Sequence, residues 1–175
     1  MASTEKKVKL AIITISDSRS ASPALDRSGS VIKELTADDY ETIFYQVIPD
    51  NFETIKATLI EACRKNIPLI LTTGGTGLAP RDQTPEATKE IIEKEVPGIS
   101  EAMRHHSAQF TPLAMLSRGV SGIRGNSLII NLPGSPKAAK ENLSGILPVL
   151  HHALDVLSNS VRECGSDPKI KSSGV

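Results

Sequence analysis

Tryptophan is absent, and only two tyrosines and three phenylalanines occur among 175 residues. So sparse an aromatic complement argues against the stacking platforms of single-strand nucleic-acid binders. Charge of one sign is missing too. The 20 Lys+Arg are matched by 20 Asp+Glu, which disfavours a protein whose main task is gripping nucleic acid. There are only two cysteines, Cys63 and Cys164, too few for a metal-ligand cluster and in keeping with a reducing cytoplasm. No apolar run approaches the ~20 residues of a membrane span, and residues 1–9 are polar, without the apolar stretch of a signal peptide. No internal repeat or low-complexity tract is visible. What remains is a chain of the length of one domain.

The richest segment is L-I-L-T-T-G-G-T-G-L-A-P-R-D-Q-T-P-E-A, residues 69–87. A short apolar run reads as a buried strand. It opens into Gly74, Gly75, Thr76 and Gly77, then Arg81 and Asp82, and then a helix start with Thr84 as N-cap and Pro85 at the first helical position. Strand, glycine-rich turn and helix N-terminus bring backbone N–H groups to an anionic ligand. The segment is not a P-loop, because no Gly-Lys-Ser/Thr follows, and it lacks the G-x-G-x-x-G spacing. A plain connecting turn is the competing reading.

Around it the order of elements is legible. Strands are predicted over residues 8–15, 42–48, 69–71 and 127–132. Helices are predicted over 28–37, 51–65, 85–95 and 98–109, followed by a final pair over 136–146 and 148–157. The alternation implies an α/β fold: a doubly wound, mostly parallel sheet with helices on both faces. Residues 1–7 are expected to be a flexible N-terminus, 8–160 a single domain, and 161–175 a polar, disordered tail.

In such a sheet the ligand binds past the carboxyl ends of the strands, where the strand order reverses. Polar, small and acidic residues recur at those ends: Ser16 and Asp17, then Asp26 and Ser28; Asp50; the glycines with Arg81 and Asp82; and Asn131, Gly134, Ser135 and Lys137. Each has a duller explanation. Asp50 with Glu53 is a capping-box pattern. Asp17 and Asp26 fit turns, and Ser135-Pro136 fits an N-cap with its N1 proline. Lys137 opposes the helix dipole, a mild hint of a nearby phosphate. His105-His106 and His151-His152 read as solvated helix residues, and Cys63 as core. Two carboxylates, Asp50 and Asp82, beside a phosphate-cradling loop suggest a Mg²⁺ site, since Mg²⁺ is usually held by one or two carboxylates plus phosphates and waters. Arg81 would screen phosphate charge. The residues thus point to Mg²⁺-assisted phosphoryl or nucleotidyl transfer.

T-T-G-G-T-G-L-A-P-R-D-Q-T-P-E-A (72–87), A-M-L-S-R (114–118) and N-L-P-G-S-P-K (131–137), with Ser16-Asp17, D-R-S-G (26–29) and I-P-D (48–50), resemble the molybdopterin adenylyltransferases. These include the MogA-type bacterial proteins and the G domains of gephyrin and its plant counterpart. The likeness spans about residues 7–157. It implies the molybdenum-cofactor-biosynthesis fold, a homotrimer, and transfer of AMP from Mg·ATP to the terminal phosphate of molybdopterin with release of pyrophosphate. A molybdate-insertion protein is the implied downstream partner. It further implies that Asp50 and Asp82 are the catalytic, metal-holding aspartates, that residues 74–77 bind phosphate, and that Ser117 of L-S-R holds the pterin or nucleotide. Gly134 and Ser135 correspond to the ligand-facing turn, with Asp17, Asp26 and Ser28 in the same pocket. The P-R-D-Q-T-P wording favours the MogA type over MoaB-type paralogues. A non-catalytic molybdopterin-binding scaffold is the alternative.

Overall fold

A computed structural model of the chain describes residues 7–158. The tail expected over 161–175, and all of the expected flexible N-terminus except Lys7, lie outside the described residues. Six strands form one sheet: β1 (Val8–Ile15), β2 (Tyr40–Ile48), β3 (Leu69–Thr73), β4 (Lys94–Glu95), β5 (Ser121–Arg124) and β6 (Ser127–Leu132), in the order β2-β1-β3-β6-β5-β4. β2, β1, β3 and β6 run parallel, and β5 is antiparallel to both β6 and β4. The order reverses between β1 and β3. The chain leaves β1 outward to β2 and returns across it, so the loops after these strands part and leave a crevice.

The central strands are apolar on both sides, as strands covered on two faces must be. Leu10 and Ile12 of β1 join Leu69 and Leu71 of β3 and Leu128, Ile130 and Leu132 of β6 on one face. This face is covered by α2 (Arg27–Thr36), α5 (Pro97–Ala108) and α6 (Pro136–Leu157). Ala11, Ile13, Ile70 and Ile129 point the other way, under α3 (Phe52–Arg64) and α4 (Thr84–Ile91). Each fully buried Ile or Leu contributes roughly 1.5–3 kcal/mol relative to exposure. The expected α/β sheet with helices on both faces is therefore present. Among the described residues no helix is long and apolar enough to cross a membrane.

Three expectations differ from the fold. The final pair of helices is one helix, because Pro148 lies on its exposed side. The carbonyl of Ser144, which loses its N–H partner to that proline, belongs to an exposed residue. The apolar stripe Leu143, Ile146, Leu150, Leu154 runs on beneath it. The helix expected to reach residue 95 stops at Ile91, since Lys94 and Glu95 pair with Ile123 and Gly122. β6 is the strand expected over 127–132, but its hairpin partner β5 has no counterpart among the predicted strands. Its signal was Gly125-Asn126 between two strand-like runs, and Gly125 turns the chain at φ 53°.

Candidate active site

The crevice is built by loops at the carboxyl ends of β1, β2, β3 and β6. After β1, Ser16 caps the four-residue helix α1 (Asp17–Ser20), accepting from the Arg19 N–H at 3.4 Å. After β2, Asp50 and Asp17 grip each other. The Asp17 N–H donates to Asp50 Oδ2 at 3.1 Å, and the Asp50 N–H donates to Asp17 Oδ1 at 2.9 Å. The capping-box reading of Asp50 is corrected here: the N-cap of α3 is Asn51, whose Oδ1 accepts from the Thr54 N–H at 2.9 Å. The Asp50 carboxyl is thereby left facing the glycine loop. It titrates above its ordinary range, raised first by burial and then by the charges of Asp17 and Asp82. The Asp17 N–H and the Arg81 charge partly offset this.

After β3 the chain bends through two left-handed residues, Gly74 at φ 105° and Gly75 at φ 64°. A Cβ on Gly74 would stand 2.1 Å from the Ile15 carbonyl oxygen, so only glycine lets β3 end this close to β1. A Cβ on Gly75 would come within 3.3 Å of Asp50 Oδ1, and one on Gly77 within 2.8 Å of Asp82 Oδ2. The loop thus lies between the two carboxylates, close enough for the charge of Asp82 to be felt at Asp50. Asp82 also accepts from the Ala79 N–H at 3.2 Å. Helix α4 begins one residue earlier than expected: Gln83 is its N-cap position, Thr84 its first residue, and Pro85 its second. The Thr84 hydroxyl is buried behind Gly75 without a hydrogen-bond partner.

On the other side of the loop opens a cavity of about 470 Å³. Thr76, Gly77, Ser117, Gly134, Ser135 and Lys137 of the expected set line it. Ser135 is the N-cap of α6, accepting from the Ala138 N–H at 3.1 Å. Lys137 is 85% exposed and its ion pair with Glu141 is long, at 3.8 Å, so its ammonium can turn to a ligand anion. A second cavity of about 410 Å³ lies on the Asp82 side, between the turn at Leu78–Pro80 and Arg118.

Two of the expected residues serve the site from behind. Asp26 is buried as the N-cap of α2, its carboxylate accepting from Thr14 Oγ1 (2.6 Å), Tyr45 Oη (2.5 Å) and the Gly29 N–H (3.0 Å). Ser28 is fully buried and donates to the Gly134 carbonyl at 2.7 Å. Asp26 ties α2 to β1 and β2 and Ser28 ties it to the Gly134 turn, and neither lines the cavity. Asn131, fully buried on β6, donates to Thr72 and Thr88 hydroxyls at 3.0 Å and knits β3 and α4 to β6.

Sequence reasoning missed Ser107, Thr111, Glu141 and Asn142, which line the cavity from α5, the following loop and α6. They come from separate segments and carry no motif, so only packing brings them together. Ser107 also holds a buried hydroxyl with no partner. His106, expected to be solvated, is half-buried and lies edge-on to Phe110 at 5.4 Å. Cys63 packs half-buried against the second core, as expected, and burial pushes its thiol up.

Among the described residues no three His, Cys, Asp or Glu side chains gather to hold a metal ion by themselves. Two hard carboxylates stand on either side of the glycine loop, and the charge of Asp82 adds to the rise at Asp50. A divalent cation that also takes phosphate oxygens and waters suits that donor set. Fold and site together define an α/β domain with a glycine loop, two carboxylates and a cavity gathered at a topological switch point.

Residues 11–152 match the family model described as a probable molybdopterin binding domain, and the chain belongs to that family. It is 38% identical over 154 residues to the molybdopterin adenylyltransferase of Helicobacter pylori (strain J99), covering 86% of this chain and 88% of the relative. To the molybdenum cofactor synthesis protein cinnamon of Drosophila melanogaster it is 40% identical over 159 residues. That match covers 89% of this chain but only 26% of the longer protein. Among solved structures, the molybdopterin biosynthesis enzyme MoaB of Thermus thermophilus superposes with a TM-score of 0.82. The identity there is 47%, covering 87% of this chain and 97% of that one.

Proposed function

We propose that the chain is a molybdopterin adenylyltransferase of molybdenum cofactor biosynthesis, moving AMP from Mg·ATP to the terminal phosphate of molybdopterin. The observation that carries this reading is the placing of Asp50 and Asp82 on either side of the loop 74–77, with a cavity beyond it large enough for a heterocycle. An oxygen of the molybdopterin phosphate attacks the α-phosphorus of ATP. A phosphoanhydride bond forms, the bond from the α-phosphorus to the bridging oxygen breaks, and its electron pair leaves with pyrophosphate. A phosphate monoester has its second pKa near 6, so at neutral pH the nucleophile is already a dianion and no side chain has to remove a proton. The chain's work is positioning and charge compensation. The N–H groups of 75–77 and of the α6 N-terminus at Ser135 orient phosphate oxygens, while Arg81 and Lys137 face their charge. Ser117 and Thr76 hold the ligand in the cavity. Asp50 and Asp82 would hold Mg²⁺, which supplies Lewis-acid neutralisation of the departing pyrophosphate.

The description of the matching family, a molybdopterin binding domain, names binding and no reaction, and so supports a second reading, a non-catalytic molybdopterin-binding scaffold. Incubation of the purified chain with Mg·ATP and molybdopterin separates the two. Adenylyl-molybdopterin and stoichiometric pyrophosphate are expected, whereas molybdopterin binding without product would favour the second reading.

A further inference from the structure

Arg118 reaches three segments at once. Its backbone N–H donates to the Thr76 carbonyl at 2.9 Å, its Nε to the Gly77 carbonyl at 2.7 Å and its Nη2 to the Asp82 carbonyl at 2.5 Å. Nη1 forms an ion pair with Glu86 in the first turn of α4. The Asp82 turn is itself a closed unit, with the Asp82 N–H on the Ala79 carbonyl at 2.9 Å and the Ala79 N–H on Asp82 Oδ2 at 3.2 Å. Arg118 is held in turn: Arg104 Nη1 of α5 donates to the carbonyls on either side of it, Ser117 at 3.4 Å and Gly119 at 3.1 Å. A planar fork with several fixed donors can hold loop and turn together, which a lysine point charge cannot. The Glu86 pair is half exposed and contributes little. The bonds to loop carbonyls are what fix the frame.

The geometry points to Arg118 as the positioning residue that locks the phosphate loop to the Asp82 turn, so that turnover depends on its contacts with the loop and turn carbonyls. The inference rests on the adenylyl-transfer reading above. Misplacing a reacting group by about 1 Å can cost about 100-fold in rate, so Arg118→Gln should lower kcat by about that factor while the KM for molybdopterin changes far less. Arg118→Lys should rescue only a small part of the loss, and Glu86→Gln, which leaves the three carbonyl contacts in place, should turn over like wild type. Amide hydrogen exchange should rise in residues 74–82 of Arg118→Gln, with the core strands still protected. Wild-type turnover in Arg118→Gln, full rescue by lysine, or an equal loss in Glu86→Gln would overturn the assignment. If the wild-type chain makes no adenylyl product, the proposed reaction fails on its own. The lock is then judged by exchange alone, where unchanged protection of 74–82 in Arg118→Gln overturns it.

Discussion

Asp50 shows how function and stability pull apart at a single residue. A carboxyl whose pKa is raised in the folded state keeps its proton where the unfolded chain has lost it. Ionisation therefore weakens the fold as pH rises through that range, and at neutral pH the charge is a net cost. Asp50→Asn removes that cost and can keep both backbone contacts to Asp17. Adenylation should fall below detection while the melting temperature is unchanged or higher. Asp82→Asn should lose activity in the same way. A sharp fall in melting temperature with activity per folded molecule intact would make Asp50 structural. Neighbouring glycines divide along the same line. Gly74→Ala forces a left-handed alanine against the Ile15 carbonyl and should cost about 2 to 4 kcal/mol of stability, read by chemical denaturation. In Gly77→Ala the added methyl meets only the tip of the Asp82 side chain. That variant should melt near wild type and lose turnover.

At the scale of elements, Tyr40 at the start of β2 shares the alkaline behaviour with Tyr45 further along it, whose hydroxyl is also pushed up by burial and by Asp26. Burial, and then the charges of Asp39 and Asp155, push the Tyr40 hydroxyl up to about 12. The unfolded chain ionises from about 10, so between these values the folded state holds the extra proton and stability falls as pH rises. The Tyr40 hydroxyl is buried without a hydrogen-bond partner. Tyr40→Phe should be near neutral at pH 7 and should flatten the decline in melting temperature above pH 10, and an unchanged alkaline slope would contradict this. The long parallel strands were readable because β1, β3 and β6 are continuous apolar runs between turn residues. The rim residues were readable because an α/β sheet puts its loops in one place. Residues held by tertiary packing were not readable. Asn51 took the cap that Asp50-x-x-Glu53 advertised, and Pro148 sits harmlessly on a solvent face. Arg118 stood in view within L-S-R, yet its contacts with Gly77 and Asp82 cross about 40 residues of chain. Such contacts have no local pattern.

For the whole molecule, the segment around Pro112–Leu116 holds two roles. Leu113, Ala114 and Leu116 line the cavity. The same turn leaves Leu113 69% and Met115 70% exposed, beside Phe110 at 57%. An apolar cluster of this kind is suited to burial against another copy. A closed three-fold ring with heterologous contacts should give a light-scattering mass near three times 18.7 kDa, and Met115→Asp should lower it. A monomeric wild type would remove the trimer and leave the pocket residues to carry the function.

The most direct test of the whole account follows the phosphorus. ATP labelled at the α-phosphate is incubated with Mg²⁺, molybdopterin and the wild-type chain, with Asp82→Asn in parallel. The account predicts label in adenylyl-molybdopterin, one pyrophosphate released per label transferred, and neither from the variant. Label remaining in ATP while molybdopterin is bound, or equal transfer by Asp82→Asn, would contradict it.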